Sequence, residues 1–267
     1  MIANPTLPQL VAALYNGIFA RAPEADGLNY WLNSGKSYEE IADGFINDQT
    51  FQFIYGEAIG TIDSTQLVNA LYQNVLGRAP IDGDLDYWLN YIDVNGASDA
   101  AAQFVKNALT DDVAAIGAQN GWTPQEITTA QAAQTTQENK ITVSLFYAGT
   151  LGDKTDLNPF GFSDPSLWQF DPAYQAAVSI ISNVTDDPAS VQNAIDIILQ
   201  ANALPGSATD AMNFIVQTVD GELPPVFILT AAAASVDEGS TATFLLETTN
   251  VAAGTQVAYT LSGIDAA

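Results

Sequence analysis

Apolar residues at offsets of three and four run along most of the chain and predict helices, giving way near the end to short β-branched runs. Leu10, Val11, Leu14, Tyr15, Ile18 and Phe19 fall on one stripe, and Leu67, Val68, Leu71, Tyr72, Val75 and Leu76 repeat it. The repetition extends beyond the stripe. Residues 10–33, LVAALYNGIFARAPEADGLNYWLN, align without a gap on residues 67–90, LVNALYQNVLGRAPIDGDLDYWLN, with thirteen of twenty-four positions identical. Both copies continue into a further apolar-periodic segment, Ser37 to Asn47 and Ser98 to Leu109, so each unit reads as three or four helices. Ser37 with Glu40 forms a capping-box pattern, and Thr123-Pro124-Gln125-Glu126 joins an N-cap, a first-turn proline and a reciprocal glutamate. A long helix is predicted from there to about Tyr147. A loop from Gly149 to Pro172 follows, then helices over Ala173–Asn183, Ala189–Ala203 and Thr209–Val219, with Asp187-Pro188 and Ser207 with Asp210 as starts.

The pattern changes at Gly221. Pro224-Pro225 reads as a linker, and Val226–Thr230, Thr241–Thr248 and Gln256–Ser262 read as strands. An immunoglobulin-type sandwich needs about seven strands and about 100 residues, and about 43 residues remain, so the expectation is a chain that stops inside its second domain. The predicted architecture is mainly α. A multi-helix domain over residues 1–222 holds repeats at about 10–56 and 67–110 and further helices over 123–219, and an incomplete Ig-like β-sandwich module occupies 223–267.

Charge then narrows the partners. Six Lys and Arg stand against 31 Asp and Glu, a formal charge of -25, which repels nucleic-acid phosphates and anionic headgroups. Lys154 is the last cation, so the remainder of the chain contains no internal ion pairs. Such self-repulsion favours bound cations, and hard oxygen ligands favour calcium. Cysteine and histidine are absent, which removes disulfides, thiolate metal sites, thiolate nucleophiles and His-based triads. Carboxylate pairs are always available among so many acids and identify no hydrolase, so the expectation is not an enzyme. The N-terminus lacks the basic start and apolar run of a cleaved signal peptide, and no stretch of about eighteen apolar residues predicts membrane insertion.

Candidate binding residues cluster in the loop after the long helix. Asp153, Asp156, Asn158 and Asp164 supply oxygen ligands for calcium, although their spacing is not that of an EF-hand. Phe160, Phe162 and Trp168, with Asn158, bring aromatic faces and an amide together as a carbohydrate surface, with packing of the loop onto the core as the competing reading. The recurrence of Tyr30-Trp31 and Tyr87-Trp88 at one repeat position favours core packing over sugar stacking. Arg21 and Arg78, each before an Ala-Pro, are read as capping carbonyls or pairing with a nearby carboxylate.

Leu14-Tyr15, Arg21-Ala22-Pro23, Asp26-Gly27 and Tyr30-Trp31, with Leu71-Tyr72, Arg78-Ala79-Pro80, Asp82-Gly83 and Tyr87-Trp88, carry a resemblance over about 110 residues. The pattern resembles a helical repeat of unknown function common in bacterial surface-layer (S-layer) proteins and calcium-repeat (RTX-type) secreted proteins. Ser235-Val236-Asp237-Glu238-Gly239 with Thr243-Phe244-Leu245-Leu246 resembles the opening of a Calx-β or Ig-like module. The resemblance implies type I secretion to the bacterial cell surface, with an uncleaved signal at the far C-terminus. It also implies a non-catalytic module that anchors an S-layer-type lattice to the O-polysaccharide of lipopolysaccharide, with calcium and self-association. The alternatives are a structural spacer or adhesin segment of a calcium-dependent secreted protein, and the non-catalytic part of an exported hydrolase.

Overall fold

A computed structural model describes residues 1–55, 63–81, 83–156, 170–221, 226–231, 239 and 241–249. The chain divides into two compact units, Met1–Gly221 and Glu222–Ala267, and it is mainly helical. In the first unit α1 (Leu7–Phe19), α2 (Ala25–Leu32), α3 (Tyr38–Ile46) and α4 (Gln49–Tyr55) form the first repeat. The second comprises α5 (Ser64–Leu71), which runs into a π-helical turn at Tyr72–Leu76, then α6 (Asp84–Asn95) and α7 (Ala97–Thr110). After these come α8 (Val113–Gln119), α9 (Pro124–Leu151), a 3-10 turn at Gly152–Thr155, α10 (Pro172–Ser182), α11 (Pro188–Ala203) and α12 (Ala208–Asp220).

The starts follow the local chemistry in the sequence. Ser37 Oγ accepts from the Glu40 amide at 3.2 Å while the Glu40 carboxylate accepts from the Ser37 amide at 2.8 Å. Thr123 with Glu126 and Ser207 with Asp210 close the same reciprocal box, and each pair satisfies donors that a helix start leaves orphaned. Two boundaries differ from expectation. The long helix passes Gly149 and ends at Leu151, because Ala148 and Leu151 keep the buried stripe going while Gly149 faces open space, where even an added Cβ would meet nothing within 4 Å. Helix α8 escapes the periodicity analysis because Gly117 is its one buried residue, packed under Ile127 and Trp122.

Helix α1 is the axle of this unit. Every residue from Val11 to Phe19 is buried, so the stripe that predicted an amphipathic helix lies on one enclosed all round by α3, α7, α9 and the second repeat. Gly17 permits the closest approach, since a Cβ there would stand 3.0 Å from Val75 Cγ2 and 3.1 Å from Val105 Cγ2. The polar residue beside it is used: Asn16 Oδ1 accepts from the Ser144 hydroxyl of α9 at 2.9 Å, and the Gly17 carbonyl accepts from Asn74 Nδ2 at 2.9 Å. The repeats superpose in chemistry as well as order. Phe45 packs against both Tyr15 and Trp31, with centroids at 4.8 and 5.3 Å, and Phe104 packs against both Tyr72 and Trp88 at 4.9 and 5.1 Å.

In the second unit β1 (Val226–Ala231) pairs antiparallel with β2 (Phe244–Thr249), Val226 opposite Thr249 and Ala231 opposite Phe244. The β-branched run expected at 256–262 lies outside the described residues. The two described strands form one antiparallel ladder.

The corner after α1 provides an internal control on backbone strain. Ala20 sits at φ 53 and Gly77, its counterpart after the π-helical turn, at φ 66. A left-handed C-cap suits glycine and costs an L side chain about 1–2 kcal/mol. Ala20→Gly is expected to stabilise the unit by about 0.5 to 1 kcal/mol once the greater backbone freedom of the unfolded glycine is subtracted, and urea denaturation would read it.

Candidate functional site

The Arg-Ala-Pro corner of the first repeat buries a charge. Arg21 is 1% exposed. Its Nη1 donates to the Ala22 carbonyl at 3.2 Å and forms an ion pair with the Glu24 carboxylate. Three rings surround the guanidinium, with Tyr15, Phe19 and Tyr174 centroids at 4.9, 5.7 and 5.7 Å. Burial works against the charge, but the Glu24 carboxylate, Tyr15 and Tyr174 together outweigh it and hold the Arg21 pKa above its ordinary value. The same burial, reinforced by Glu24, pushes the Tyr15 hydroxyl well above the usual tyrosine range. Tyr15 donates to Glu24 at 3.3 Å, so one carboxylate orders both the cation and the phenol. In the second repeat Ile81 occupies the position that aligns with Glu24, and Arg78 pairs instead with Asp84 at 3.0 Å, with 42% of its side chain exposed. Both arginines thus bond a carbonyl and a carboxylate, as read from the sequence, yet their environments are opposite.

Above the first corner lies a cleft of about 330 Å3 between α1, α2 and the α3–α4 junction. Phe19, Phe45, Trp31 and Tyr30 form its aromatic wall, Arg21 and Glu24 its floor, and Asp26 and Asp48 its acidic rim. Gly44 lets Trp31 lie against α3, because a Cβ there would collide with the indole ring. Asp48 accepts from the Thr50 amide at 2.7 Å. Tyr30 is 62% exposed while Trp31 is half-buried; in the second copy Tyr87 is 60% exposed and Trp88 is buried. Core packing therefore holds for the tryptophans and not for the tyrosines. The reason is helical geometry, since neighbours in sequence point about 100° apart and only one of each pair can face the core.

Beside the rim, the 3-10 turn reaches across from the end of α9. The Ala25 amide donates to Thr155 Oγ1 at 2.7 Å and the Asp26 amide to Asp156 Oδ1 at 3.4 Å, so residues 130 positions away satisfy the first turn of α2 where Glu24 offers no side-chain cap. This contact assembles a carboxylate triad. One oxygen from each of Asp26, Asp153 and Asp156 lies within 4.8 Å of the others. Partial burial, then the charges of Asp26, Asp153 and Glu24, raise the Asp156 pKa against the help of the Asp26 amide. The donor set is hard oxygen on an open surface, which fits calcium rather than a soft metal. Of the calcium ligands expected from the sequence, Asp153 and Asp156 thus come together; Asn158 and Asp164, with the carbohydrate candidates Phe160, Phe162 and Trp168, lie outside the described residues. Asp26, Asp48 and Tyr30 were not among the expected site residues. The available signal was divergence between the copies: Glu24 and Asp26 stand where the second copy has Ile81 and Gly83.

Two outcomes follow from these charges. Arg21→Met leaves the largely enclosed Glu24 without its cation and is expected to cost about 3 kcal/mol, whereas Arg78→Met at the exposed corner stays within about 1 kcal/mol; paired urea titrations separate them. For Asp156, a raised pKa means the folded state favours the protonated carboxyl, a stabilisation present at low pH and lost as pH rises through the folded value. Asp156→Asn removes that loss, so its melting temperature should exceed that of the parent at pH 7 without divalent cations and converge with it at pH 3.

Comparison with known proteins touches the second repeat and its surroundings. No curated protein and no solved structure matches the chain. Residues 42–105, from within α3 to within α7, match a protein family described as a domain of unknown function (DUF4214).

Proposed function

We propose that the chain is a non-catalytic module that anchors a larger secreted protein to the bacterial outer surface by binding the O-polysaccharide of lipopolysaccharide. The observation that carries this reading is the first-repeat cleft, which an exposed Tyr30 and a half-buried Trp31 line together with the Glu24, Asp26 and Asp48 carboxylates. Flat apolar faces suit the carbon-bound hydrogens of a sugar ring, and the fixed polar groups suit its hydroxyls. A charge of -25 favours neutral or cationic sugars over phosphorylated ones unless a cation intervenes. Calcium at Asp26, Asp153 and Asp156 would neutralise the rim and tie the α9 end to the α2 start, two segments that meet beside the cleft. The β1–β2 ladder is consistent with the start of an Ig-like module that projects the anchor from the rest of a surface protein. No helix among the described residues is long and apolar enough to cross a membrane, so attachment through a surface polymer accords with the helices at hand.

The test is retention of the purified chain on smooth and rough lipopolysaccharide, each with calcium and with chelator. Retention on the smooth form alone, strengthened by calcium, is expected, and Tyr30→Ala should weaken it about fivefold, the loss of roughly 1 kcal/mol of ring contact. Equal failure on both forms would overturn the anchor and favour a structural spacer.

A further inference from the structure

We infer that Asn120 is a site of spontaneous covalent modification, deamidation through a cyclic imide formed with Gly121. The chain contains three Asn-Gly pairs, Asn16-Gly17, Asn95-Gly96 and Asn120-Gly121, and the structure sets them apart. In this reaction the backbone nitrogen of the glycine loses its proton and attacks the asparagine Cγ, and the absence of a glycine Cβ leaves the approach unhindered. The new C–N bond closes a succinimide ring and Nδ2 leaves as ammonia. Water then opens the ring at either carbonyl, giving aspartate or isoaspartate, with no oxidant or reductant involved.

Two of the three pairs are held closed. Asn16-Gly17 lies inside the buried part of α1, where the glycine amide belongs to the helical ladder and Asn16 Oδ1 accepts from the Ser144 hydroxyl. Asn95 ends α6. There the Gly96 amide donates to the Ile92 carbonyl at 2.8 Å, and the Gly96 carbonyl accepts from the Ala100 amide of α7 at 3.1 Å, so attack from that nitrogen requires the junction of two helices to open first. At the end of α8 the restraint is missing. Asn120 and Gly121 are both exposed, and the Gly121 amide forms no hydrogen bond among the described residues. The side chains are held alike, since Asn120 Nδ2 donates to the Ile116 carbonyl at 2.9 Å and Asn95 Nδ2 to the Tyr91 carbonyl at 3.0 Å; the glycine nitrogen makes the difference. The product places a carboxylate beside the last carbonyls of α8, where the helix dipole disfavours an anion. Isoaspartate also lengthens the main chain beneath the Trp122 amide, whose bond to the Gly117 carbonyl at 2.9 Å spans this turn.

The experiment is tryptic peptide mapping by mass spectrometry after the full chain has been stored at pH 8, folded and in urea. Lys and Arg are so few that trypsin isolates the three pairs in separate peptides, 1–21, 79–106 and 107–140. In the folded chain the 107–140 peptide is expected to gain the mass of one amide-to-acid exchange, localised to Asn120 by fragmentation, about tenfold faster than the 79–106 peptide. The 1–21 peptide should stay unchanged. In urea the three rates should converge, because local sequence is then all that acts, and Asn120→Gln should abolish the gain in 107–140 under both conditions. Folded-state conversion at Asn95 or Asn16 as fast as at Asn120 would overturn the inference. So would a mass gain that survives Asn120→Gln, or folding that slows Asn120 as strongly as it slows Asn95.

Discussion

The buried guanidinium of Arg21 is the constraint on which the rest of the first unit depends. A charge with 1% exposure is tolerated only when its neighbours are fixed around it. Glu24 must approach from the start of α2, Tyr15 and Phe19 from α1, and Tyr174 from α10. Beside it, the Ala22 amide donates to the Ala177 carbonyl of α10 at 2.8 Å. The corner therefore determines where the α1–α2 junction meets α10, which is distant in sequence. It also sets the cleft, because the residues that hold the cation are the floor over which Tyr30 and Trp31 stand.

The second repeat shows what happens to the same motif without that enclosure. Arg78 keeps its ring contact, 4.9 Å from the Tyr72 centroid, and its bond to the following alanine carbonyl at 3.0 Å. Its pair with Asp84 is half open to water, where an ion pair contributes little. Burial and the nearby Asp84 charge push the Tyr72 hydroxyl up to about 12, a smaller displacement than enclosure imposes on Tyr15. One local motif thus serves as a structural anchor in one copy and as a surface corner in the other. Both copies contribute to the core, so the difference is confined to the corner.

Charge and fold are linked at the rim. With 31 acids and six cations, most carboxylates have no cationic partner within reach, and the structure uses many of them as acceptors for helix-start amides instead. Asp63, Asp112, Asp171 and Asp187 all do this, in keeping with the positive end of the helix dipole. Where the acids crowd at the start of α2, that local stabilisation is shared among three carboxylates and is strained by their mutual repulsion. A bound cation would relieve this, which is why calcium is proposed there.

The sequence by itself determined the helices, their caps and the duplication, because these depend on residues within a few positions of one another. The stripe from Leu10 to Phe19, the box at Ser37 and Glu40 and the prolines at 124 and 188 are all satisfied locally. It also placed Asp153 and Asp156 among the candidate cation ligands, and these two come together, while the loop containing their other expected partners lies outside the described residues. What only the tertiary structure decided is what lies next to what. Apart from Glu24 in place of Ile81, the Arg-Ala-Pro pattern does not distinguish Arg21 from Arg78, and the difference in burial arises because α10 and the turn at Thr155 close over one corner. The third member of the triad, Asp26, lies 127 residues before Asp153. Its place there depends on a hydrogen bond from the Ala25 amide to Thr155, a contact between distant segments that no local spacing encodes.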